Sequence, residues 1–135
     1  MDKKKFLIGF IKYSGWLEII FGIMLIFMMN EVMAQLGLVN MAFWMQFGGI
    51  SLLYMGVLLY ISGRDLERYS IIPFISSIFR FTMVVAEIFC IITYLSLNPT
   101  FAYIIIGATC YDFGSAVYTL VLMKQNGYKI SRKSI

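Results

Sequence analysis

The sequence predicts an all-α membrane protein, with four transmembrane helices in an up-down bundle and both termini on the cytoplasmic side. Three observations predict it. Hydrophobic residues make up 61% of the chain. Charged residues make up 13%, against about a quarter in ordinary soluble domains. The apolar residues gather into four stretches, near 8–29, 42–62, 71–95 and 101–123, each long enough to cross a hydrocarbon core of about 30 Å. Basic residues fall almost entirely on alternate sides of these stretches. A chain of 135 residues with this composition has too much apolar surface to be a soluble enzyme or a nucleic-acid binder. Four spans leave room for short loops and tails, and the whole chain is expected to be one transmembrane domain.

The first span lies within 6–29. Lys3, Lys4, Lys5 and Lys12 precede or open it. Residues 2–5 resemble the basic start of a signal peptide, and Val32-Met33-Ala34 resembles a small-residue cleavage site. The apolar run is longer than a usual signal core, so an uncleaved first span is expected. Residues 31–41 hold no Lys or Arg and are too few to span. They are expected to form an outer loop at the interface, with a helical turn around 32–36.

The second span ends at Ser62-Gly63, where glycine is expected to close the helix. The charged turn Arg64-Asp65-Leu66-Glu67-Arg68 follows. Pro73 falls in the first turn of the third span, where a missing N–H does little harm. Residues 96–100 again lack Lys and Arg, and Asn98-Pro99-Thr100 reads as a cap with proline at the first helical position. Lys124, Lys129, Arg132 and Lys133 follow the fourth span. Ten of the 11 Lys and Arg residues thus share one side, which the positive-inside rule assigns to the cytoplasm of an inner-membrane protein. The basic excess is a topology signal and a set of contacts for anionic headgroups rather than a nucleic-acid footprint. Trp16, Trp44, Tyr60, Tyr69, Tyr94 and Tyr103 stand near span ends, as an aromatic belt requires.

Glycines recur seven residues apart at Gly15 and Gly22, Gly49 and Gly56, and Gly107 and Gly114. Two helical turns separate the members of each pair, so each pair shares a face. Small residues let helices approach closely in lipid, and these faces are expected to meet other helices of the bundle, a second copy or a partner subunit.

Four ionisable residues fall within spans: Glu18, Arg80, Glu87 and Asp112. Such residues are costly in lipid and usually face the bundle interior. Gln46 joins them on polar grounds. Helical spacing puts Ser76, Ser77, Arg80, Glu87 and Tyr94 on one face of the third span. Depth along the spans pairs Arg80 with Asp112 or Glu18, and Glu87 with Gln46. Three ionised carboxylates beside one arginine would leave an excess negative charge in a low-dielectric interior, so one of them, Glu87 first, is expected to carry a proton. Arg80, Glu87, Asp112, Glu18 and Gln46 are the ligand-binding or proton-coupling candidates; the same residues also suit structural glue. A weak echo, Leu17-Glu18-Ile19 with Ala86-Glu87-Ile88 and Gln46-Phe47-Gly48-Gly49 with Asp112-Phe113-Gly114-Ser115, fits either a duplicated hairpin or chance in a limited alphabet.

No histidine is present, no phosphate loop or hydrolase motif occurs, and neither a metal site nor a cofactor is expected. Cys90 and Cys110 lie at different depths and read as small buried residues rather than a disulfide or a redox pair.

The glycine-containing first span, Gly48-Gly49 with Gly56 following, the Gly63-Arg64-Asp65 turn and Arg80 in the third span resemble the DoxX-like group of small four-helix bacterial membrane proteins. The resemblance covers most of the chain through short, degenerate motifs. It implies a four-helix membrane body and either quinone-associated oxidation or an accessory role in a complex. Three functions follow. The first is an intramembrane polar pocket binding or transporting a small amphipathic or lipophilic molecule, with proton linkage. The second is a non-catalytic accessory subunit docked through its glycine faces. The third is a quinone- or lipid-linked oxidoreductase.

Overall fold

The computed structural model describes residues 3–128. Asp2, Lys129, Arg132 and Lys133, which entered the charge argument, lie outside the described residues. Within them the chain is helical, with no strand: α1 (Lys3–Gln35), a short 3-10 turn (Val39–Met41), α2 (Ala42–Ser62), α3 (Ile71–Tyr94) and α4 (Pro99–Gln125). All four long helices have the length and composition to cross a membrane, as befits a multi-pass membrane protein.

The first helix is longer than its apolar stretch. It opens at Lys3 and continues through the expected outer loop to Gln35, so the helical turn around 32–36 is the end of α1 itself. Its stop is a glycine not singled out by the hydropathy pattern. Gly37 takes a φ of 70°. Its N–H donates to the Ala34 carbonyl, and the Leu38 N–H donates to the Met33 carbonyl at 2.7 Å. Two carbonyls left over at the helix end are thereby satisfied, and only glycine reaches this left-handed conformation without strain. Gly127 repeats the device after α4, with a φ of 77° and the bonds Gly127 N–H to Lys124 and Tyr128 N–H to Met123.

Gly63 behaves otherwise. Its φ is −67°, open to any residue, so its role is not the expected left-handed cap. Space is the reason: a Cβ there would stand 2.6 Å from Lys12 Cγ. At the start of α4 the expected cap is present. The Asn98 side chain accepts from the Phe101 N–H at 3.1 Å, with Pro99 at the first helical position.

The helices fall into two compact units. Among the described residues one comprises 8–69, the other 3–7 together with 70–128. In the first unit α1 and α2 run antiparallel with their backbones in near contact. A Cβ on Gly15 would stand 2.7 Å from the Gly56 carbonyl oxygen and 2.8 Å from the Tyr60 nitrogen. A Cβ on Gly22 would meet the Gly49 oxygen and the Leu53 nitrogen at the same two distances. Trp16 adds an edge-on contact with Tyr60 at 5.6 Å.

In the second unit α3 and α4 are antiparallel and meet through side chains. Arg80 lies across from Ser115, Phe81 from Phe113 at 6.0 Å and Tyr94 from Phe101 at 5.2 Å. Ser76, Ser77, Ala102, Ala116 and Thr119 are buried, small enough to let the two helices close up. Phe6, from the first turns of α1, meets Tyr118 edge-on.

The glycines of α4 do not share in this. Nothing lies within 4 Å of a Cβ built on Gly107 or Gly114, and both are exposed. Of the contacts expected for the glycine faces, α1 and α2 thus make the one within the chain, while the contact of α4 with α3 runs along another face, that of Ala102, Asp112 and Ala116. The internal echo fails in register as well. Glu18 sits deep within α1, far from the turn into α2, while Glu87 stands about two turns from the end of α3. The two hairpins are paired differently and carry no common register.

Candidate functional site

The α3·α4 unit holds the polar cluster. Ser76, Ser77, Arg80 and Glu87 are all buried on α3, as the helical spacing predicts. The Ser77 hydroxyl is used locally, donating to the Pro73 carbonyl at 2.9 Å. That carbonyl and hydroxyl satisfy each other inside one turn, a common fate of serine in an apolar helix.

Arg80 is only 4% exposed. Its Nη1 lies 3.3 Å from Asp112 Oδ1 on α4. The same nitrogen donates to the Ser115 hydroxyl, and the guanidinium lies over the Tyr111 ring at 5.1 Å. Ser115 in turn donates to the Asp112 carbonyl at 3.1 Å. A guanidinium stays charged in any protein setting, so burial obliges it to find an anion and further acceptors. Asp112, Ser115 and the Tyr111 face supply them from one turn of α4. Of the two carboxylates expected for Arg80, Asp112 lies within ion-pair distance of it.

Glu87 lies about 10 Å farther along α3. It is buried, 9% exposed. Its carboxyl interacts with Thr109 and with Asp112 of α4, while Gln46, its expected partner, donates to the Ile26 carbonyl. Thr109 also donates to the Ile105 carbonyl at 2.9 Å. The second carboxyl oxygen, Oε2, is buried and has no hydrogen-bond partner among the described residues. Asp112 thus stands between Arg80 and Glu87, in contact with both. The cluster reads along the unit as Ser115, Arg80, Asp112, Glu87, Thr109.

The remaining two candidates belong to the α1·α2 unit. Glu18 is 1% exposed, on the turn between Gly15 and Gly22. Gln46 donates from Nε2 to the Ile26 carbonyl on α1 at 3.0 Å, a side-chain bond that ties the two helices together near their connection. Thr109, Ser115 and Tyr111 belong to the cluster as well, although none is among the charged residues that mark it in the sequence. Thr109 and Ser115 lie three residues to either side of Asp112, and that spacing was the available signal.

Cys90 and Cys110 are both free thiols, and Cys110 is exposed rather than buried as expected. Among the described residues no three His, Cys, Asp or Glu side chains come together as a metal would require. Compared with family models, with curated proteins and with solved structures, the chain matches none.

Proposed function

We propose that this is an inner-membrane protein of four spans with cytoplasmic termini, built on the DoxX-like plan. Its α3·α4 cluster binds or moves a small amphipathic or lipophilic molecule in exchange with a proton. The observation that carries the reading is Glu87: its carboxyl interacts with Asp112 and Thr109, and its Oε2 is buried with no partner among the described residues. A buried polar atom left unsatisfied is costly, and sites that bind ligands or protons are where such costs are kept. A hydrogen bond between two carboxyl groups exists only while one of them holds a proton. Asp112 already answers Arg80, which leaves Glu87 as the group that holds and releases it. The free oxygen then meets a hydrogen-bond donor on the ligand.

A second reading has its own observation. Gly107 and Gly114 present a smooth exposed strip on α4 with nothing near it, which suits an accessory subunit docking a helix of a partner. Native mass spectrometry of the protein released gently from its own membrane separates the two. A bound small-molecule mass that disappears in a folded Glu87→Gln variant supports the ligand site. A clean mass, or one carrying only another polypeptide, supports the accessory role.

A further inference from the structure

At the basic end of the α1·α2 unit, four side chains converge in a way the packing of the two helices does not need. Tyr60, in the last turn of α2, receives Arg64 from the turn that follows. The guanidinium lies over the ring at 5.0 Å, and its Nη2 donates to the phenol oxygen at 3.5 Å. Lys12 of α1 lays its stem against Gly63, three residues on from Tyr60, and its charge acts on the same phenol more weakly than that of Arg64. Trp16, one turn along α1, closes the side with its edge against the Tyr60 ring and is itself 51% exposed. Lys12 can lie there because Gly63 has no side chain: an added Cβ would stand 2.6 Å from Lys12 Cγ, and its other neighbours would be at ordinary contact distance. The glycine at the end of α2 therefore serves the lysine stem.

We propose that Lys12, Arg64 and the Tyr60 hydroxyl form a binding site for the phosphate of an anionic phospholipid, with Trp16 against its upper chain. Two cations and a hydroxyl donor around one point suit a phosphodiester, which offers a negative charge and several acceptors. Indole and phenol rings prefer the headgroup level. The site lies where α2 ends and the charged turn begins, the level at which headgroups meet a spanning helix. Neither cation has an acidic partner within salt-bridge distance among the described residues. This site is independent of the α3·α4 cluster.

Trp16 serves as the reporter once Trp44 is replaced, since these are the 2 tryptophans of the chain. The Trp44→Phe protein is placed in phosphatidylcholine vesicles containing brominated phosphatidylglycerol or brominated phosphatidylcholine, and quenching of Trp16 gives their relative affinity. Preference for the anionic lipid is expected, falling about fivefold in Lys12→Gln and in Arg64→Gln. The decisive variant is Gly63→Ala, which keeps every charge but displaces the lysine stem. It is expected to lose as much preference as Lys12→Gln. Tyr60→Phe, which keeps the ring and both cations, is expected to lose part of it and tests the same geometry if Gly63→Ala does not fold. Full preference in a folded Gly63→Ala, or in Tyr60→Phe, would reduce the site to a general basic surface. Equal quenching by the two lipids in the parent protein would overturn the proposal outright. Loss of the preference on adding millimolar inorganic phosphate would reassign the site to a free anion.

Discussion

In the α1·α2 pair the helices meet backbone to backbone, over Gly15, Gly22, Gly49 and Gly56. In the α3·α4 pair they meet through side chains, with Arg80 reaching Asp112 and Ser115 and aromatic rings closing the ends. Lipid offers no hydrophobic drive to either pair, since the tails are as apolar as the helices. The first pair gains its attraction from close van der Waals contact along smooth surfaces. The second gains it from charge and hydrogen bonding, at the cost of burying ionisable groups. The first arrangement fills its glycine seam with backbone and buries a single carboxyl, Glu18, beside it. The second keeps polar atoms inside the membrane, and one of them, Glu87 Oε2, is unspent.

The comparison is most sharply tested by breaking the charge pair. Arg80→Leu leaves the part-buried Asp112 without its cation and is expected to cost about 3 kcal/mol of stability, read as a loss of thermal stability in detergent. Arg80→Leu with Asp112→Leu should recover most of that loss, because the penalty lies in the orphaned charge. Were the double variant no better than the single one, the pair would be holding α3 and α4 together by attraction that the apolar residues cannot replace.

Next in size is the glycine contact. Gly56→Ala places a methyl group 2.7 Å from the Gly15 oxygen and 2.8 Å from the Ile19 nitrogen, both backbone atoms that cannot step aside. An overpacking cost of about 1–3 kcal/mol is expected. The same change at Gly114, where nothing lies within 4 Å, should be neutral or slightly stabilising through helix propensity. Equal losses at the two positions would show that the exposed face of α4 is occupied in the membrane. The smallest effect is local to one turn. Asn98→Ala removes the acceptor for the Phe101 N–H and should cost about 1 kcal/mol, seen as faster amide exchange at the start of α4 with the rest unchanged.

Much of this was legible in the residue pattern, for identifiable reasons. Hydropathy run length fixes which segments are spanning helices, because every backbone group in lipid must be satisfied internally. The seven-residue glycine spacing correctly marks faces. It does not say what each face meets, so Gly107 and Gly114 read the same as Gly15 and Gly22 although nothing packs on them. Depth arithmetic was good enough to bring Asp112 to Arg80. It says nothing of rotation about a helix axis, so Glu87 turns to Thr109 and Asp112 on α4 and Gln46 to Ile26 on α1. Gly63 shows the opposite limit. Its position at a helix end suggested a conformational role, and only the nearness of the Lys12 stem reveals a steric one.

The pairing of α1 with α2 also constrains how the chain can change length. Gly15 meets Gly56 and Gly22 meets Gly49, so two contacts seven residues apart on one helix are matched by two on the other. One residue inserted between Gly15 and Gly22 would rotate everything beyond it by about 100° and carry Gly22 off the seam. An insertion of seven would restore the phase but advance the second contact by about 10 Å, and would then demand the same insertion between Gly49 and Gly56. Between these glycines the two helices can lengthen only together and in whole pairs of turns, and the rule extends along α1 to Ile26, whose carbonyl takes the Gln46 amide.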